Sequence, residues 1–435
     1  VSKWPEWKSP DGSIWLINAD YRNVLPLLGH VDAIVTDPPY ALTANKKGGS
    51  GVASVNAETP YGRSMIGTGN GSGGFMGMAW DSKLPSVEDF EVCFHALKPG
   101  GYMLAFAATR TQHRMAVNIE DAGFEIRDMI AWLYGSGFPK SLDVSKAIDK
   151  ALGAKPIDMG QSPNWRESKR DREKSGSMEV RGENAGRITA PATDDARQWQ
   201  GWGTAIKPAL EPITVARKPL IGTVAENVLQ YGTGAMNIDG CRIELNGDYK
   251  CKANGRPSQT GLPDNYDPEN ANQPDTIGRW PANVIHDGSK EVIELFPSEA
   301  GATGQVTKRN ADKFRNSYGE FKGTTEDAPF YNDTGSAARF FYCAKASREE
   351  RGEGNIHPTV KPIDLMMWLC RLVTPPNGIV VDPYMGSGST AKACHRLGMK
   401  FIGFEREKHY FDICVNRMKE ELSRVPLFDL PQERA

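Results

Sequence analysis

One ten-residue stretch, Val31 to Tyr40, concentrates side chains and backbone groups that could do chemistry. Val31 to Thr36 is a short, apolar, β-branched run, the composition of a strand covered on both faces. It runs into Asp37-Pro38-Pro39-Tyr40. Two consecutive prolines forbid both a continued strand and an immediate helix. The chain must therefore turn out at the strand's carboxyl end, where open α/β sheets place their ligands. The turn offers the Asp37 carboxylate, the Pro38 carbonyl and the Tyr40 ring. An acceptor pair beside a stacking plate suits a planar group bearing an NH2, such as a nucleobase edge. A strand-end turn with an Asp cap and a packed Tyr fits the bare four residues as well.

A second candidate site lies near the other end of the chain. Val380-Val381-Asp382-Pro383-Tyr384-Met385-Gly386-Ser387-Gly388-Ser389-Thr390-Ala391 reads as a strand, a glycine loop and a helix start. Gly386 and Gly388 let backbone N–H groups approach a ligand closely, and the helix amino terminus favours an anionic group there. Glu405 ends the next strand, 19 residues after Gly386. A carboxylate at that distance can accept hydrogen bonds from ribose hydroxyls. This is an adenosine-type cofactor site on half of a doubly wound sheet. The glycines and Ala391 also fit a degenerate dinucleotide fingerprint, so an NAD-linked oxidoreductase competes. Asp382-Pro383, intervening between strand and glycine, speaks against it and suits a ligand carrying its own ammonium group.

The elements that must position these two sites alternate at both ends of the chain. Strands are expected at 13–18, 31–36, 102–107 and 125–133, then at 212–216, 378–382 and 400–404. Asp20 follows the first of them, placed to cap a short helix or hold a ligand. Ser86 to Leu97, Thr111 to Ala122, Ile363 to Val373, Ser389 to Leu397 and Lys408 to Leu422 have helical spacing. Residues 41–84 form a Gly/Ser/Asn-rich loop that reads as a lid, with Phe75 to Trp80 as its apolar end. Residues 153–211 are polar with mixed charges and read as a mobile insertion. Residues 220–345 lack the α/β rhythm. Their basic residues interleave with aromatics, as base contact requires, and they read as a separate recognition lobe.

Composition narrows the class. The chain has 435 residues with a formal net charge of −2, so any nucleic-acid surface must concentrate positive charge on one face. Seven cysteines are scattered without a C-x-x-C pair, which argues for reduced thiols in a cytoplasm and against a zinc site. The seven histidines show no H-E-x-x-H spacing, and no metal is expected. No apolar run reaches membrane-spanning length, and the first residues lack a signal-like segment.

With these residues in place, the chain resembles the amino-methylating DNA methyltransferases that use S-adenosyl-L-methionine. Asp37-Pro38-Pro39-Tyr40 looks like their catalytic motif, and Asp382 to Gly388 like their cofactor loop. His357-Pro358-Thr359-Val360-Lys361-Pro362 looks like the segment preceding that loop. The order, catalytic motif first and cofactor loop last, is that of the permuted β class. Tyr134 to Lys140 and Gly278 to Asn283 look like bacteriophage and prophage members. Tyr384 departs from the usual Phe but keeps an aromatic plate.

The resemblance implies an α/β, Rossmann-like, seven-stranded methyltransferase sheet, circularly permuted, with an inserted recognition lobe. Strand 212–216 would insert antiparallel between 102–107 and 125–133, and Asp37 and Asp382 would end adjacent strands. The implied organisation is a catalytic half over 1–152, the polar insertion over 153–211, a sheet strand over 212–219, the recognition lobe over 220–345, a cofactor half over 346–425 and a tail over 426–435.

By the same resemblance, Asp382, Gly386 and Gly388 surround the methionine end of the cofactor, with Pro383, Tyr384, Ser387 and Thr390 completing the loop. Glu405 meets the ribose, Asp20 lies near the adenine, and Thr359 and Lys361 border the pocket. A base is flipped from double-stranded DNA; Tyr40 stacks on it while Asp37 and the Pro38 carbonyl accept its amino hydrogens. Asp37 at the first motif position goes with N6-adenine, whereas Ser goes with N4-cytosine, which stands as the alternative. A silent DNA-binding partner is the third reading, and the intact Asp37 and Tyr40 argue against it. The expected setting is the cytoplasm of a bacterial host, on the nucleoid when DNA is bound. The class admits a homodimer and leaves a restriction endonuclease partner open.

Overall fold

Near-continuous burial along residues 31–36 and 100–106 calls for a sheet covered on both faces, and that is the arrangement found in a computed structural model of the protein. The structure describes residues 3–41, 83–137, 141–163, 187–244, 278–299, 335–344 and 360–423, with the backbone of 315–316 and 319–320. Residues 42–82 of the lid expected over 41–84, the segment at His357 to Thr359 and the tail over 426–435 lie outside the described residues.

In chain order the strands are β1 (Glu6–Lys8), β2 (Ile14–Ile17), β3 (Val31–Thr36), β4 (Leu97–Phe106), β5 (Glu125–Leu133), β6 (Ile157–Gln161), β7 (Arg187–Ala190), β8 (Leu210–Arg217), β9 (Val284–His286), β10 (Arg315–Asn316), β11 (Gly319–Glu320), β12 (Tyr342–Cys343), β13 (Ile379–Asp382) and β14 (Lys400–Phe404). The helices are α1 (Val87–Ala96), α2 (Gln112–Asp121), α3 (Val144–Ala151), α4 (Asp194–Gln198), α5 (Val224–Tyr231), α6 (Lys290–Ile293), α7 (Ile363–Val373), α8 (Ser389–Arg396) and α9 (Lys408–Ser423).

The large unit comprises 1–135 and 210–435. Its sheet has ten strands in the order β1-β2-β14-β13-β3-β4-β8-β5-β9-β12. The expectation of seven is corrected: those seven are the contiguous middle of a longer sheet. β1 pairs antiparallel with β2 at one edge, and β9 and β12 run parallel to β5 at the other. The added strands are two or three residues long, too short for alternation to reveal them. β9 and β12 come from 220–345, so described parts of the expected recognition lobe extend the sheet of the large unit.

From β2 to β4 the strands are parallel, and β8 runs antiparallel between β4 and β5. Reversal matters here. The first residues of β8, Leu210 and Glu211, pair with Leu133 and Trp132 at the carboxyl end of β5. Glu211 thus shares the edge where Asp37 and Asp382 leave their strands.

Alternation sorts the core into two layers. Tyr102, Leu104 and Phe106 pack with residues of α7, α8 and α9, while Met103 and Ala105 pack with Phe90 and Cys93 of α1 and Met115 and Ile119 of α2. Helices on both faces define the doubly wound class. Ser86 and Asp89 close a capping box on α1, so the helix starts where the sequence predicts. Among the described residues no helix is long and apolar enough to cross a membrane.

Residues 136–209 form a second compact unit. Where a mobile insertion is expected over 153–211, the described residues carry an antiparallel pair, β6 with β7, and the short helix α4. Asp149 of α3 accepts hydrogen bonds from the Ala192 and Thr193 backbone and from Thr193 Oγ1, at 2.8–3.1 Å. Local turn chemistry of this kind orders a polar chain without an apolar pattern to announce it.

Asp32 is an acid inside the apolar run of β3, only 5% exposed. Its Oδ2 accepts the Ile379 N–H at 2.7 Å and its Oδ1 accepts Lys98 Nζ at 2.7 Å. It therefore ties β3 to the start of β13. Asp32→Ala leaves that N–H without its acceptor, at a cost of about 1–3 kcal/mol. The expected outcome is a lower urea midpoint for Asp32→Ala, with Asp32→Asn, which retains an acceptor, falling between it and the wild type.

Candidate active site

Register brings the two sequence motifs together. β3 and β13 pair in parallel through Ala33 with Val380 and Ile34 with Val381. Thr36, two residues beyond Ile34, and Asp382, one residue beyond Val381, are joined by a 2.7 Å hydrogen bond from Thr36 Oγ1 to Asp382 Oδ1. Thr390, at the start of α8, donates to Asp382 Oδ2 at 2.6 Å, and the Tyr384 N–H donates to Oδ1 at 3.1 Å. Asp382 is 2% exposed. Burial pushes its carboxyl up to about 6 even though Thr390, Thr36 and the Tyr384 N–H favour the anion.

The Asp37 turn carries an ionic cluster. Tyr40 Oη donates to Asp37 Oδ1 at 2.5 Å. Lys361 Nζ donates to Asp37 Oδ2 at 2.7 Å and to Tyr40 Oη at 3.2 Å, and stands 3.1 Å from Glu211 Oε2. The Lys361 side chain is 7% exposed, with the Phe106 ring 4.8 Å from its ammonium. Burial alone would depress its pKa; Asp37 and Glu211 outweigh burial and raise it. The Tyr40 hydroxyl is pushed well up by burial and then by the same two carboxylates. Thr111, ahead of α2, donates to the Tyr40 carbonyl at 2.9 Å and fixes the far end of the turn.

The glycine loop is shaped by close packing. Gly386 and Gly388 have φ of +51° and +82°, conformations that L side chains adopt at a cost. A Cβ on Gly388 would lie 2.3 Å from Cys414 Sγ of α9. Arg417 of α9 reaches the Ser387 carbonyl and, at 3.0 Å, Ser387 Oγ. Tyr384 turns its ring edge-on to Tyr21, 5.2 Å between centroids, and shares a 3.0 Å hydroxyl contact with it. The hydroxyl that distinguishes Tyr384 from Phe therefore has a partner.

Glu405 lies just past β14. Its carboxyl is pushed up to about 7, first by burial and then by Glu407, against the Glu407 and Gly386 N–H groups that favour the anion. Asp20 caps the 3-10 turn Tyr21–Asn23 and pairs with Arg22, which also reaches Asp89 at 3.2 Å. Of the two readings for Asp20, the cap is the one these contacts express. Lys361, expected to border the cofactor pocket, has its ammonium on Asp37. Thr359 lies outside the described residues.

Sequence reasoning did not single out Glu211. The signal was its place ahead of Pro212 at the start of a strand inserted antiparallel, which puts a strand's first residue at the ligand edge.

The strand-end edge thus gathers the Asp37, Glu211 and Asp382 carboxylates, with a glycine loop after one and a phenol beside another. Residues 249–416 match the family model described as DNA methylase, the N6_N4 family. The chain is 23% identical over 328 residues to the type II methyltransferase M.HindIII of Haemophilus influenzae, covering 75% of this chain and 65% of that protein. It is 32% identical over 117 residues to the type II methyltransferase M.BglII of Bacillus subtilis, covering 27% of this chain and 31% of that one. The matches thus span less than two thirds of either relative. Among solved structures, the M1.HpyAVI–SAM complex overlays with a TM-score of 0.36 at 16% identity, covering 93% of this chain and 99% of that one. The cytosine-N4-specific PvuII DNA methyltransferase does so at 0.39 and 12%, covering 95% and 90%.

Two outcomes test the loop. Gly388→Ala is expected to lower the denaturation midpoint, and adding Cys414→Ala to recover the part due to the clash, leaving about 1 kcal/mol of backbone strain. Glu405 is raised from 4.5 to about 7 in the folded chain, so its stabilising share is full below 4.5 and lost as pH rises through about 7. Glu405→Gln should flatten that part of the urea-midpoint profile; an unchanged slope between pH 5 and about 8 would place the loss elsewhere.

Proposed function

We propose that the protein is a site-specific DNA methyltransferase that transfers a methyl group from S-adenosyl-L-methionine to the N6 amino group of adenine. The observation that carries the reading is the junction of two motifs 345 residues apart, Asp37 and Asp382, through the Thr36–Asp382 hydrogen bond. Family resemblance over 249–416 and the type II relatives support the reaction class. Asp at the head of the Asp37 motif favours adenine over cytosine.

The residues present fit the cofactor. The loop needs glycine at 386 and 388, a buried carboxylate stands at the end of β13, and a second stands past the end of β14, where a ribose diol would find acceptors. Asp382, Gly386, Gly388 and Glu405 would hold it, with Pro383, Tyr384, Ser387 and Thr390 shaping the loop. When bound, it supplies an activated methyl group.

The chain's own residues do the rest by positioning. The target base leaves the duplex, because its amino group is otherwise out of reach. Tyr40 stacks on the base. Asp37 and the Pro38 carbonyl accept its two amino hydrogens and turn the nitrogen lone pair outward for attack. After transfer the nitrogen is cationic and sheds a proton to Asp37 or water. No side-chain nucleophile is needed, and holding the reactants in register supplies much of the acceleration. The permuted β-class order and a recognition region between the motifs belong to the same proposal.

Asp37→Ala is expected to reduce methyl transfer at least about 100-fold while cofactor affinity, read by calorimetry, stays near wild type. Full activity in that variant would refute the role given to Asp37. Mass spectrometry of nucleosides from methylated DNA should return N6-methyladenine; N4-methylcytosine would establish the alternative base.

A further inference from the structure

Lys361 Nζ has three N–H donors and three acceptors around it: Asp37 Oδ2 at 2.7 Å, Glu211 Oε2 at 3.1 Å and Tyr40 Oη at 3.2 Å. Among the described residues the titratable groups that face it are these three, with Tyr134 in electrostatic reach of Glu211 and Lys361 and Asp382 in reach of Asp37. A nearly buried ammonium held by one carboxylate would form a neutral pair. It would then compete with any incoming NH2 for that carboxylate's lone pairs. A second carboxylate changes this balance, because the ammonium is shared and the cluster keeps one net negative charge. Glu211 reaches the site only because β8 runs against its neighbours.

We infer that Glu211 is a positioning residue for the reaction: through Lys361 it orients Asp37 and Tyr40 and keeps Asp37 available as the acceptor of the target's amino hydrogens. This rests on the amino-methylation reading above. Glu211 need not touch the base; it acts through the ammonium. Without the ammonium, Asp37 and Glu211 would face each other as like charges, which disfavours ionising both.

The test uses the full chain with three variants: Lys361→Met, Glu211→Gln and the pair together. In Lys361→Met the acidic limb of the pH–rate profile should move up by about one unit, and the folded protein should lose stability as pH rises from 5 to 8. Glu211→Gln added to Lys361→Met should bring both profiles back toward wild type, because one of the two opposed charges is gone. Glu211→Gln alone should lower kcat about tenfold with cofactor affinity unchanged. The inference is overturned if neither profile moves in Lys361→Met, or if the double variant behaves as Lys361→Met does. Should Lys361→Met fail to fold, Glu211→Gln decides: wild-type kcat overturns the inference. A wild-type protein that methylates no amino group on any DNA overturns the functional reading instead, and the stability profiles still report whether the ionic coupling exists.

Discussion

Side-by-side pairing of β3 and β13 is the constraint on which the candidate site depends. Two strands from opposite ends of the chain lie in register, so Thr36 and Asp382 meet at one edge. The pairing is secured from both ends. Asp32 ties the entry of β13 to β3, and the Thr36 hydroxyl ties the exits. Both ties are polar contacts in an apolar layer, where an unmatched partner is costly and a matched one is specific.

Polar groups at this edge are layered outward from that pair. Asp382 is saturated from three sides and holds the glycine loop to the end of β3. Asp37, one residue beyond Thr36, carries the ammonium and the phenol. α9 supports the loop from behind, with Cys414 filling the space that a Gly388 side chain would need and Arg417 gripping Ser387. The loop's shape is thus set by packing from a helix 20 to 30 residues downstream as much as by its glycines.

Much of this was legible in the sequence because long elements announce themselves. α7 and β5 have the predicted bounds, and the antiparallel insertion of 212–216 is β8. Asp37-Pro38-Pro39-Tyr40 and the Asp382 loop meet at adjacent strand ends, as their order required. What stayed hidden has physical reasons. β1, β9 and β12 are too short for periodicity. The order in the described residues of 136–209 comes from Asp149 and a cap at Thr193, features that mimic a solvated segment in composition. Glu211 and Lys361 are 150 residues apart, and no spacing rule pairs them; only the reversed direction of β8 does.

On the proposed reading, charge distribution lets one edge serve two unlike ligands. Asp382 and Glu405 flank the glycine loop, and Asp37 and Glu211 share a single ammonium. The described edge is acidic, a field that favours a cationic cofactor and repels phosphate. A polyanionic partner gains nothing there, so on the proposed reading its backbone must be held at a distance while one uncharged base enters. Arg242 over Trp280 and Arg279 over Phe340, at 5.3 and 4.3 Å, show the kind of basic–aromatic surface that can hold a strand by charge and stacking.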